Sequence, residues 1–244
     1  MERQMQQALK LQAFKSYPKP KREALSAGGS CSLSELLTRC ASPYAIEPNV
    51  FAQYLEKAVT SVGDAAAFKY YLPSLMSLTC ADGALSIQIL SDKIRYANFT
   101  SWKSEEVRQV KDAFHASWRT FLGAGEGHVN KSNDWVDAFL TLFGDDDIRL
   151  MLRTWDEVIS RRSLEHFGDF IAGNMDYFFG DRNGYQFTSV DAYASISGSN
   201  LVAQWLLGEP KIWSAQKVGV IDQPGEDLQY FLEIYREWRK KSPL

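Results

Sequence analysis

The chain of 244 residues is 45% hydrophobic, 13% aromatic and 23% charged, proportions that exclude a largely disordered or collagen-like protein. Its mass implies about 11,000 Å² of folded surface against about 40,000 Å² for the extended chain, enough burial for a sizeable core. The 27 Lys+Arg and 30 Asp+Glu give a formal charge of -3, which argues against a general binder of nucleic acid or anionic membranes.

That charge is unevenly spread. Residues 1–22 hold Arg3, Lys10, Lys15, Lys19, Lys21 and Arg22 against Glu2 alone, a net of +5 that leaves -8 on the rest. Ser16-Tyr17-Pro18-Lys19-Pro20 through Gly28-Gly29-Ser30 reads as a linker, since its prolines and glycines cannot sustain a helix. The expected organisation is therefore a basic N-terminal arm and linker over residues 1–30, with a detachable amphipathic helix over 1–15. A single helical domain follows over 31–244. Nucleic acid is admitted as a partner only through the 1–22 arm. Cys31, Cys40 and Cys80 are too few for a disulfide framework, and neither a long apolar run nor a signal-peptide pattern is found. These features predict reduced thiols, no membrane partner and a cytoplasmic location.

From residue 47 onward helical periodicity dominates. Phe51, Tyr54, Leu55, Ala58 and Val62 repeat at i, i+3, i+4, i+7, one apolar stripe on one helix face. Gly63 stops that helix and Asp64 is placed to cap the next, which carries Phe68, Tyr71, Leu72 and Leu75. Pro73 inside this stripe predicts a kink, and Ala81-Asp82-Gly83 the exit turn. A further helix begins near Ser101 or Ser104, with Glu105 and Glu106 in its first turn and Val107, Val110, Phe114, Trp118 and Phe121 as its stripe. The glycines between 123 and 127 break it.

Trp135, Ala138, Phe139 and Leu142 form the next stripe, entered from Ser132. Ile148, Met151, Leu152 and Trp155 follow, and Phe167, Phe170, Ile171 and Asn174 continue the period. Leu228, Phe231, Leu232, Tyr235 and Trp238 make the last stripe, closed by Arg239, Lys240 and Lys241. Strand signals are confined to Tyr185-Gln186-Phe187-Thr188 after an Asn-Gly turn and to Lys217–Ile221. The fold class expected is all-α: an irregular array of antiparallel helix pairs, compatible with a HEAT-like α-solenoid, with at most a short β-hairpin.

The run Phe68-Lys69-Tyr70-Tyr71-Leu72-Pro73-Ser74-Leu75-Met76-Ser77-Leu78 after Gly63-Asp64 resembles a helical segment of bacterial proteins that reads F-[KR]-H-F-L-P-R-[IL]-L-E-L. Lys93-Ile94, Trp102, Glu105-Glu106 and Trp118 extend the likeness over roughly residues 40–160. Tyr70, Ser74 and Ser77 depart from that family's His, Arg and Glu. The resemblance implies a cytoplasmic all-helical fold and carries no activity.

Chemistry is sparse. No HExxH, paired CxxC, GxxxxGK[ST] or GxGxxG is found, which removes the zinc-peptidase, zinc-ribbon, P-loop and dinucleotide-binding readings, and no cofactor is called for. Of the histidines His115, His128 and His166, His166 has Asp169 at i+3, facing the same way on a helix. The most acidic stretch combines Asp134, Asp137, Asp145, Asp146, Asp147, Asp156 and Glu157. It suits helix capping and also complementarity to a basic protein partner. Trp213, outside the stripes, is a candidate exposed contact. The expected function is a non-enzymatic protein-binding protein, specifically an immunity-type protein that neutralises a basic toxin through these acidic residues and Trp213. The alternative is a metal-dependent enzyme built from His166, Asp169 and Asp145–Asp147.

Overall fold

The structure, a computed structural model, describes residues 11–25, 31–123, 130–179 and 196–207. Among them every regular element is helical, so the all-α expectation holds. The helices are α1 (Arg22–Leu25), α2 (Cys31–Arg39), α3 (Pro48–Lys57), α4 (Ala65–Met76), α5 (Ile87–Tyr96), α6 (Ser104–Gly123), α7 (Ser132–Leu142), α8 (Asp145–Glu157), α9 (Arg161–Phe179) and α10 (Ile196–Leu207). They run from four to twenty residues, an irregular array. No helix among the described residues is long and apolar enough to cross a membrane. The two hairpin candidates, the 228–238 stripe and His128 lie outside the described residues.

The chain divides into two compact units, with the boundary inside α6 after Trp118; Asn130 belongs to the first. In the first unit, local chemistry sets each helix start. Pro48 occupies the first turn of α3, where a missing N–H costs nothing. Val59 and Gly63 take positive φ in the turn that follows, and the Asp64 carboxylate accepts from the Ala67 amide at 2.8 Å to cap α4. Ser86 caps α5 through the Ile89 amide, and Asn130 seals the same end, accepting from Ile87 N–H at 2.8 Å and donating to the Leu85 carbonyl at 2.9 Å. Helix α2 lies against α1 and α3, and α3 against α5. The expected stripe residues Phe51, Tyr54, Leu55, Phe68, Tyr71, Leu72 and Leu75 are all buried.

Helix α4 continues through Pro73. The disturbance falls one turn later, in the π turn Ser77–Ala81, where the Asp82 amide reaches back to the Ser77 carbonyl. Pro73 supplies no N–H to the Lys69 carbonyl, and the widened turn hands the chain to Gly83, which takes φ +61°.

Residues 11–25, expected to belong to a loosely held arm and linker, carry Leu11, Phe14 and Leu25 as buried side chains. Gln12–Phe14 is a single 3₁₀ turn rather than part of an amphipathic helix. The segment packs on α4, and Phe14 meets Trp102 edge-on at 5.8 Å. Its apolar residues are too irregularly spaced for a helical stripe, yet Leu11, Phe14 and Leu25 seat the segment as a strap.

In the second unit α7 packs with α8 and α9, and α8 with α10. Trp155 is its hub, with Phe167, Phe170 and Trp205 rings at 5.7, 5.4 and 5.5 Å. Asp145, Asp146 and Asp147 form the first turn of α8, where the helix dipole favours negative charge.

Candidate functional site

The most distinctive polar chemistry among the described residues is a buried cluster in the first unit that combines Tyr17, Lys69, Trp102 and Glu106. Glu106 stands four and seven residues before Val110 and Ala113, both buried on α6, so helical geometry turns its carboxylate inward rather than toward solvent. Lys69 is likewise three and seven residues before the buried Leu72 and Met76 of α4. The two side chains meet at 2.7 Å, with 11% of the lysine and 1% of the glutamate side chain exposed.

Two buried charges survive only if their remaining hydrogen-bonding capacity is met. Here Tyr17 donates its hydroxyl to Glu106 Oε1 at 2.7 Å and accepts from Lys69 Nζ at 3.1 Å. The Lys103 amide donates to Glu106 Oε2 at 3.2 Å. The ammonium also lies 4.3 Å from the centre of the Trp102 ring, a favourable cation–π placement. Burial pushes the Glu106 carboxyl up, but the hydrogen bonds from Lys69 and Tyr17 and the lysine charge outweigh it and hold the group below its ordinary value. The glutamate is therefore ionised at neutral pH.

This cluster fastens the strap. Further along it, the Ala13 amide donates to Gln109 at 3.0 Å, and Lys19 donates to the Thr38 and Cys40 carbonyls at 2.8 Å each, where the C-terminal end of α2 favours a cation. Held this way, the strap forms one wall of a groove of about 550 Å³. From the strap come Phe14, Lys15 and Tyr17; Pro43, Tyr44, Tyr70 and Pro73 also line the groove. Tyr44, in the 3₁₀ turn Pro43–Ala45, is 69% exposed. Tyr17 is stacked on Phe14 at 6.3 Å and Tyr70 is edge-on to Tyr71 at 4.9 Å, so both rings are held before any ligand arrives. Desolvation raises the Tyr17, Tyr44 and Tyr70 phenols; the Tyr17 hydroxyl is engaged by Glu106 and Lys69, while those of Tyr44 and Tyr70 are neutral groups that can donate and accept. Among the lining residues there is no carboxylate, imidazole or thiol. The groove offers rings, hydroxyls and one ammonium, groups able to hold a ligand by stacking, hydrogen bonding and charge.

The acidic residues singled out in the sequence all belong to the second unit, whereas Trp213 lies outside the described residues. Asp134 accepts from the Lys131 amide at 2.6 Å as the third residue of α7, and Asp137 is buried. Asp156 accepts from the Trp205 indole at 3.0 Å, and Glu157 pairs with Arg119 at 2.7 Å. Asp145, Asp146 and Asp147 lie at the start of α8, whereas Asp156 and Glu157 lie at its other end, about 13–18 Å away along a helix rising 1.5 Å per residue.

His166 stacks on Phe121 at 4.1 Å, with Nε2 buried and without a hydrogen-bond partner. Burial lowers its pKa against the opposing pull of Asp169. Among the described residues no group of three or more His, Cys, Asp or Glu side chains is placed to hold a metal ion, so His166 and Asp169 are not joined by Asp145–Asp147.

No family model, curated protein or solved structure matches the chain. The likeness of residues 63–80 to bacterial proteins thus remains one of motif, and the structure gives that motif a physical reading: its lysine, Lys69, is the buried partner of Glu106, and its proline, Pro73, lines the groove.

Proposed function

We propose that this chain is a non-enzymatic protein-binding protein that takes a segment of its partner in the aromatic groove of the first unit. The observation that carries the reading is the preformed groove itself, walled by three tyrosines and two prolines and set in place by a buried Lys69–Glu106–Tyr17 cluster. Tyrosine presents a large amphipathic surface at low conformational cost and is enriched where proteins bind one another. The immunity-type reading, in which a basic toxin meets an acidic face, draws less support. Asp134, Asp156 and Glu157 already hold an amide, an indole and an arginine, and Asp137 is buried.

A photo-crosslinking residue placed at Tyr44 and, separately, at Asp146 separates the two surfaces, since both positions are exposed. Irradiation of the full chain in its native host, followed by reconstitution with the purified captured protein, is the test. The expected result is one specific adduct from position 44, and binding by the purified pair that weakens in Tyr44→Ala. An adduct from position 146 alone would transfer the function to the acidic stretch; no adduct from either would overturn the binding reading.

A further inference from the structure

Resting on that binding reading, we infer that the groove's occupant is an extended, proline-rich segment that carries an acidic residue. Three observations select it. First, the walls are tyrosine rings and prolines with hydroxyls between them. A polyproline II segment has three residues per turn and no internal hydrogen bonds, so its carbonyls are free to accept from phenols such as Tyr44 and Tyr70 while its proline rings lie flat on the aromatic faces, that of Tyr17 included.

Second, the dimensions disfavour the other common peptide modes. At about 550 Å³ the groove has the volume of a small-ligand site, whereas an α-helix is about 10–12 Å wide and needs several turns of apolar anchors. Strand addition requires an open sheet edge, and the described residues include no strand.

Third, charge is one-sided. Among the described residues lining the groove, Lys15 is the one that carries a formal charge, and its side chain is exposed. The cation at Lys69, which also lies 5.3 Å from the centre of the Tyr17 ring, is neutralised by Glu106. An acidic residue next to the proline run would pair with Lys15, and a basic one would be repelled by it. The rigidity of Tyr17 and Tyr70 suits a ligand that is itself stiff, because neither side then loses much conformational freedom on binding.

The experiment titrates the full chain with three labelled peptides of equal length, followed by fluorescence anisotropy: a proline-rich peptide with glutamate, the same peptide with lysine for glutamate, and a glycine–serine peptide with the same glutamates. The proline–glutamate peptide should bind saturably and about ten-fold more tightly than either control. Tyr44→Ala, whose unfolding curve should match the parent because the side chain is exposed, should weaken it about five- to thirty-fold, as expected for loss of an aromatic anchor. Lys15→Ala should abolish the preference for glutamate over lysine.

Equal binding of the glycine–serine peptide, if Tyr44→Ala weakens both, overturns the proline-rich occupant and leaves the groove reading standing. The proline-rich occupant is likewise overturned, and the groove retained, if no peptide binds while the crosslinker at position 44 captures a partner. Proline–glutamate binding that ignores Tyr44→Ala overturns the inference, as does a glutamate preference that survives Lys15→Ala. If no peptide binds and position 44 captures nothing, the binding reading falls with it.

Discussion

Replacing Glu106 by Gln leaves the volume of the buried cluster almost unchanged and removes one charge. At 2.7 Å and an effective dielectric of about 20, the gross Lys69–Glu106 attraction is about 6 kcal/mol, most of it offset by desolvation of both ions. What the variant exposes is the lysine: its ammonium keeps the Tyr17 hydroxyl and the Trp102 face but loses the anion it pairs with. Breaking a buried pair from one side costs about 3–5 kcal/mol, and because the Trp102 face and the Tyr17 hydroxyl still surround the ammonium, the expected loss lies at the lower end of that range, about 3 kcal/mol. Hydrogen exchange under increasing urea, read on peptides from 65–76 and 104–118, reports this for the first unit by itself. Peptides from 11–22 should lose protection first, because Tyr17 donates to Glu106. The double variant Lys69→Met/Glu106→Gln should be less destabilised than the sum of the two single variants. A loss below about 0.5 kcal/mol in Glu106→Gln, the scale of an exposed pair, would refute the view that this cluster fastens the strap.

Two further outcomes follow from the geometry. Gly63 holds φ +72°, and a Cβ there would lie 3.1 Å from both Ala67 Cβ and Leu25 Cδ2, so Gly63→Ala should lower the urea midpoint by the equivalent of about 1–2 kcal/mol at constant slope; an unchanged or raised midpoint would refute the strain. Burial lowers the His166 pKa from 6.5, so the folded state keeps the ring neutral while the unfolded chain takes up a proton. Stability of the second unit should be level above about pH 6.5 and fall below it by at most about 1.4 kcal/mol per pH unit until the folded pKa is passed. His166→Phe, which keeps a ring against Phe121, should flatten that dependence in hydrogen exchange of residues 161–171. A wild-type slope that persists in the variant would assign the effect to another group.

Much of the fold is legible in the sequence because its core is built on stripes: Phe51 to Leu55, Phe68 to Leu75, and Trp135 to Phe139 all repeat with the helical period and are all buried. Helix α5 carries the same signal in Ile87, Leu90 and Ile94 after a Ser86 cap, but polar residues between them dilute it, and the periodicity does not announce it; nor does it announce α2 or α10. The strap is illegible for a different reason. Leu11, Phe14, Tyr17 and Leu25 follow no period, and the places of Phe14 and Tyr17 depend on α4, Trp102 and the start of α6, which local pattern cannot show. The cluster leaves one readable trace: Lys69 and Glu106 are opposite charges standing at positions that share the spacing of buried apolar neighbours. Sequence alone makes Glu106 a dipole-complementing residue, because the first turn of a helix accounts for glutamate without help. It places the contact surface on the acidic residues for a similar reason, since a run of aspartates is conspicuous, whereas a groove assembled from residues 11–17, 43–44 and 70–77 is scattered through the sequence.

The most direct test of the account is the footprint that the purified captured partner leaves on the full-length chain, read as amide chemical-shift changes and exchange protection on titration. The changes should gather on residues 11–17, 43–45 and 70–77 and require more partner to reach saturation in Tyr44→Ala. Changes centred on 134–157, with the groove undisturbed, would contradict the account.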